Sequence, residues 1–146
     1  MAEWELYRAI ADHWRSRGYH VVTSVTDPSG SRVELDVVAF TPELDDVRIT
    51  EAKVAASKAL VDQCIDRLRY AERVYAAVPA TAAERLRSQA GSGPADRLGI
   101  LAVAETGVEV VRQAEPSDQR REPGKAHVIE RQLRSALAEG EAEGPA

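Results

Sequence analysis

An α/β fold with the element order α-β-β-β-α-β-α-β-β is expected from three observations on the chain. Glu3 to Arg17 repeats apolar residues at helical spacing, three β-rich runs follow in succession, and from residue 57 helical and strand-like patterns alternate. In the first helix Trp4, Tyr7, Ile10, Ala11 and Trp14 recur at three- and four-residue steps, and Gly18 supplies the stop. Tyr19 to Val25 reads as the first strand, and Asp27-Pro-Ser-Gly30 as a turn. Val33 to Phe40 and Ile49 to Lys53 are rich in Val, Ile and Thr, and Thr41-Pro-Glu-Leu-Asp-Asp46 between them has the Pro and Asp of a hairpin loop. Ser57 to Ala71 carries the apolar stripe Leu60, Val61, Cys64, Ile65 and Leu68. Arg73 to Val78 is a buried strand closed by Pro79, Ala80 to Ala90 a third helix and Gly91 to Pro94 a loop. Leu98 to Val103 and Gly107 to Arg112 complete the sheet.

At Ala114 the composition shifts. Glu115 to Gly124 is charged and rich in Pro and Gly, which marks a linker over 115–125 and an end of the folded core near residue 114. Ala126 to Glu139 forms a weakly amphipathic helix through Val128, Ile129, Leu133 and Leu137, expected to dock on the core or on a partner, ahead of a flexible end to Ala146.

The 146 residues, 44% of them hydrophobic, suit one globular domain. A net charge of -5 gives no global attraction to nucleic acid or to an anionic membrane, so such binding has to come from a local basic patch. One cysteine excludes an intramolecular disulfide, and the absence of Cys/His clusters argues against structural zinc. No apolar run approaches ~20 residues and the N-terminus lacks a signal pattern, so the expectation is a soluble, cytoplasmic protein without membrane contact.

The chemistry concentrates in the hairpin. If Phe40 pairs with Val47, the antiparallel register sets Asp36 opposite Glu51, and the two-residue alternation puts Lys53 on the face of Glu51. Opposed carboxylates repel, so something must offset them. A divalent cation held by both would do so, with Lys53 near enough to meet negative charge on a substrate. The plainer alternative, an exposed hairpin with solvated charges, sits poorly with the apolar neighbours Val38, Phe40, Val47 and Ile49.

Together, an acid on an N-terminal helix, an Asp on one strand, Glu-x-Lys on the next and a helix after it resemble the restriction-endonuclease-like PD-(D/E)xK nuclease superfamily. The likeness runs from about Glu3 to Val111, with Leu35 where the motif's name has Pro. The resemblance implies a mixed sheet flanked by helices and a metal-dependent nuclease acting on DNA in repair, recombination or defence, similar to phosphodiesterase and DNA-repair members. It implies Asp36, Glu51 and Lys53 as catalytic residues, and Mg²⁺ or Mn²⁺ held by Asp36, Glu51, the Ala52 carbonyl and an acid of the first helix. Of the two acids there, Glu3 shares the face of Tyr7, Ile10 and Trp14 at ~100° per residue whereas Glu5 points nearly opposite, so Glu3 is the choice.

On the next helix Gln63, Arg67 and Tyr70 share a flank at i, i+4 and i+7. Gln63 is expected to bond the Lys53 amine, a water or a phosphate, and Arg67 to contact phosphate or else pair locally with Asp62 or Asp66. Lys58 could widen a basic rim. Cys64 reads as a small buried hydrophobe, and His13, His20 and His127 lack acidic partners at useful spacing. Small nucleases of this fold often address two strands as dimers, which makes a homodimer reasonable. Two other classes remain: a binding module for nucleic acid or protein on the same fold, with a vestigial acidic cluster, and a scaffold protein acting through its C-terminal helix.

Overall fold

Glu3–Ser16 form the first helix, α1, because Leu6, Ile10, Ala11 and Trp14 fall on one face that packs on the sheet. The structure is a computed structural model that describes residues 1–29 and 32–146; the expected turn residue Gly30 lies outside them. Six strands follow in sequence order across one mixed sheet: β1 His20–Thr26, β2 Glu34–Phe40, β3 Val47–Ala52, β4 Arg73–Pro79, β5 Gly99–Ala104 and β6 Gly107–Arg112. β1, β2 and β3 are antiparallel neighbours, β3, β4 and β5 run parallel, and β6 returns antiparallel on β5. Both parallel steps need crossovers. α2, Lys58–Arg67, provides the first, and a 3-10 turn, α3 at Ala83–Gln89 and a second 3-10 turn provide the other.

The alternation of side chains along the central strands divides the core in two. Val37, Ala39, Tyr75, Ala77, Leu101 and Val103 face α1, while Val38, Phe40, Ile49, Val74, Ala76, Val78 and Ile100 face α2, α3 and the C-terminal helix. Trp14 fixes α1 on its layer, donating its indole N–H to Thr50 Oγ1 at 3.1 Å and meeting Tyr75 and Tyr19 edge-on.

Three expectations change on folding. α2 starts as expected, with the Ser57 hydroxyl accepting from the Leu60 amide at 3.1 Å, but it stops at Arg67 instead of Ala71. Tyr70 leaves the helix so that its hydroxyl can reach Asp27, at 2.6 Å. The helix expected over Ala80 to Ala90 begins as a 3-10 turn, and the loop expected after it tightens into another at Gly93–Arg97. The Arg112 guanidinium holds this segment by donating to the carbonyls of Leu98, Ala90 and Ala95.

The third change is larger. The core does not end near residue 114: α4, Pro123–Glu139, buries Ala126, Ile129, Leu133 and Ala136, and Ile129 and Leu133 join the core beside Val25, Leu35 and Phe40. The polar segment leading to it is strapped to the surface, its amides at Glu115, Ser117 and Glu122 donating to Arg97, Glu72 and Arg69 carbonyls. A buried carboxylate locks the start of α4. Asp27 accepts from the Tyr70 hydroxyl, from Lys125 Nζ at 2.9 Å and from the Ser29 amide and hydroxyl. Burial alone would raise the Asp27 carboxyl, and these donors outweigh it and hold it well below the ordinary range. The end expected to be flexible returns to the sheet, where Glu143 and Val21 exchange backbone hydrogen bonds.

Leu133→Ala should therefore cost about 2–5 kcal/mol in urea unfolding, the range for a cavity in a packed core. A change below about 0.5 kcal/mol, typical of surface positions, would show that α4 is an appendage.

Candidate functional site

The register places the charged residues as the hairpin pattern requires. Phe40 pairs with Val47 and Val37 with Thr50, where the ladder ends, and the next positions in that register are Asp36 and Glu51. There the ladder gives way to side chains. The Asp36 amide donates to Glu51 Oε2 at 2.8 Å, and the Ala52 amide donates to Asp36 Oδ2 at 2.9 Å. Each carboxylate thus takes a main-chain donor from the opposing strand, and both lie buried in the gap between β2 and β3. The other neighbour of Asp36 also yields. β1 pairs with β2 at Thr23–Val37 and Val25–Leu35 but not at Ser24, whose φ of 56° is left-handed.

Glu51, with no exposed surface, points at α2. Its Oε1 accepts from the Arg67 Nε–H and from Gln63 Nε2 at 3.3 Å. Arg67 also bonds Asp66 at 2.8 Å and is only 8% exposed. Of the two expectations for Arg67, the local pairing with Asp66 is the one that forms, and the phosphate contact is corrected: the guanidinium is also the internal counter-ion of Glu51, meeting the same carboxylate as Gln63 four residues earlier. Gln63 bonds Glu51 and not the Lys53 amine. Burial, then the Asp36 charge, push the Glu51 carboxyl up to about 7 even though Arg67 pulls the other way.

Lys53 lies one residue beyond β3, and its amide continues the pairing by donating to the Ala77 carbonyl at 3.1 Å. Its side chain, expected on the face of Glu51, instead meets α1, with Nζ 3.3 Å from Glu3 Oε1. That contact is an ion pair without hydrogen-bond geometry, since Glu3 Oε1 is shielded from solvent yet has no hydrogen-bond partner. Lys58 stands exposed at the start of α2 and forms no ion pair among the described residues. Tyr7, one turn after Glu3, belongs by its spacing to the apolar face alone, but in the fold it reaches the carboxylates. Its hydroxyl hydrogen-bonds Asp36, and burial followed by the Asp36 charge raise it above its ordinary range. Its i+4 spacing from Glu3 was the available signal.

Asp36, Glu51 and Glu3 offer hard oxygen donors of the kind Mg²⁺ or Mn²⁺ takes, and Glu3 Oε1, which has the Lys53 charge beside it but no hydrogen bond, adds to that match. Among the described residues no three His, Cys, Asp or Glu side chains gather closely enough to hold a metal ion. In this geometry a cation at the carboxylates would share Glu51 with Arg67. His13 is buried, and burial followed by the Arg17 charge lowers it to about 4, so it stays neutral near pH 7. Cys64 is buried and unpaired, and burial raises its thiol.

No protein-family model and no curated protein matches the chain. A solved structure from Silicibacter pomeroyi, described as a protein of unknown function, is similar with a TM-score of 0.69 at 19% identity, covering 95% of this chain and 88% of that one. This likeness establishes the fold. Among the described residues no helix is long and apolar enough to cross a membrane.

Arg67→Met, with EDTA present, should destabilise the protein more at pH 9 than at pH 6. Because the folded-state value of Glu51 exceeds its unfolded one, stability falls as pH rises from about 4.5 to about 7. Without Arg67 the carboxyl rises further, so the variant keeps losing stability above pH 7 where the wild type has stopped. At about 1.4 kcal/mol per pH unit, the gap between the two should widen by about 2–3 kcal/mol, measured by urea unfolding at both pH values. A gap independent of pH would remove Arg67 as counter-ion.

Proposed function

We propose that this protein is a metal-dependent phosphodiesterase of the PD-(D/E)xK kind that hydrolyses nucleic acid, with DNA as the expected substrate. The observation that carries this reading is the meeting of the Asp36 and Glu51 carboxylates where β2 and β3 separate, linked by exchanged main-chain hydrogen bonds, with Lys53 two residues beyond Glu51. A burial this costly for two like charges is expected where a cation belongs.

Asp36 and Glu51 would hold Mg²⁺ or Mn²⁺, with the Ala52 carbonyl and Glu3 as further oxygen donors. The ion would supply a Lewis acid for a phosphate oxygen and acidify a water. Tyr7, by donating to Asp36, and Gln63, by donating to Glu51, fix the directions in which those carboxylates point. The Lys53 ammonium, released from Glu3, orients the attacking water and meets the charge that gathers on the phosphate oxygens as the P–O bond to the leaving group breaks. Lys58, exposed at the start of α2, would serve as a cation for the substrate backbone. A cytoplasmic setting and a homodimer, which would address two strands, belong to the same proposal.

One observation favours a second reading, a binding module on this fold without hydrolysis. Arg67 already compensates Glu51, and both Glu51 oxygens have donors within the protein. Calorimetry with Mg²⁺ or Mn²⁺ separates the two, because a module of that kind shows no site-specific heat.

For the enzyme, cleavage of plasmid, single-stranded and branched DNA is measured with Mg²⁺, Mn²⁺ or EDTA. Lys53→Ala should lower the rate at least about 100-fold while circular dichroism stays unchanged, and Asp36→Ala should do the same. Cleavage by Lys53→Ala at the wild-type rate would overturn the mechanism.

A further inference from the structure

Among the described residues three large apolar side chains stand exposed: Met1 at 48%, Trp4 at 64% and Val54 at 50%. They are not scattered. Trp4 follows Glu3 and Val54 follows Lys53, and those two charged neighbours lie 3.3 Å apart. Trp4 and Val54 thus flank the Glu3–Lys53 ion pair of the candidate site.

Trp4, Arg8 and Arg15, at i, i+4 and i+11, run down one flank of α1. Beside them a groove of about 450 Å³ is lined by Tyr7, Arg8, Asp12 and Arg15 of α1, Thr23 of β1 and Glu143. Tyr7, which lines the groove, also bonds Asp36, so one residue joins the groove to the carboxylates. Its charges are unequally committed. Arg15 is neutralised by Asp12 at 3.6 Å and Glu143 at 3.5 Å, whereas Arg8 is exposed and forms no ion pair among the described residues. Glu5, the acid nearest Trp4 in sequence on the other side, is turned ~100° away and accepts from the Ala2 amide at 3.2 Å.

We propose that Trp4 is a stacking platform for an unpaired base and Arg8 a contact for the adjacent backbone phosphate, so that the site takes single-stranded nucleic acid or an unpaired segment. This rests on the phosphodiesterase reading and names its substrate class. A duplex keeps its base faces stacked on one another, and only an unpaired base offers a face to an indole beside the scissile phosphate. Three separate apolar side chains among cations fall far short of the area a stable protein interface buries.

The chain has two tryptophans, and Trp14 is 2% exposed, so quenching by ligand reports on Trp4. The 146-residue protein in EDTA, where no cleavage is expected, is titrated with a short oligothymidine and with a fully paired, two-strand duplex of equal length. The single strand should quench the emission and the duplex should not. Trp4→Ala should weaken single-strand binding about 5- to 100-fold by anisotropy of a labelled strand, and Trp4→Phe should retain most of it. Arg8→Ala should reduce the slope of log affinity against log salt by about one. Equal quenching by duplex, binding unaffected by Trp4→Ala, or quenching that depends on protein concentration alone, the sign of a second copy on this patch, would each overturn the proposal. Binding that depends on Trp4 without any cleavage under Mg²⁺ or Mn²⁺ would leave it standing and remove the catalytic reading instead.

Discussion

Two carboxylates occupy the gap where β2 and β3 separate, and the surrounding structure is arranged around holding them there. Unit charges about 4 Å apart near a protein surface repel by on the order of 4 kcal/mol, a large fraction of a domain's stability. The fold answers in three ways. Main-chain amides from the opposing strand bond each carboxylate, Arg67 on α2 neutralises Glu51, and Tyr7 on α1 donates to Asp36. Each answer comes from a different layer, so α1, the sheet and α2 must all dock before the charges are compensated.

The kinked position Ser24 belongs to the same arrangement. A regular three-strand ladder would commit the main chain of Asp36 to its neighbours. With Ser24 left-handed and the β2–β3 ladder ending at Val37–Thr50, the Asp36 amide is available to a side chain. Strain of this sort at a non-glycine residue collects at functional positions.

The architecture was legible because it is written in local patterns. The helical spacing of Ile10, Ala11 and Trp14, the β-branched runs of the hairpin and the apolar stripe from Leu60 to Leu68 are all properties of short segments. The pairing of Asp36 with Glu51 followed from the loop between Phe40 and Val47. What escaped was nonlocal. Nothing near Arg67 says that it turns inward to Glu51, 16 residues away, instead of outward to solvent. The Lys53 side chain leaves the face of Glu51 because the strand ends at Ala52, a boundary that pattern alone sets loosely. The segment after Ala114 misled for a different reason. Its composition is that of a linker, and α4 has a narrow apolar stripe, but Asp27, Tyr70 and Lys125, far apart in sequence, converge to anchor it.

The return of the terminal segment to β1 bears on biosynthesis. β1 is an edge strand, and its outer hydrogen-bonding groups would otherwise invite pairing with another chain. Its cover comes from Glu143, and Arg15 on the preceding helix binds the Gly144 carbonyl across 129 residues. A nascent chain therefore emerges with its first strand unguarded until Glu143 has also been translated, a window in which a chaperone would be useful. Proline in place of Glu143 would remove the amide that bonds Val21 and so bare the edge again.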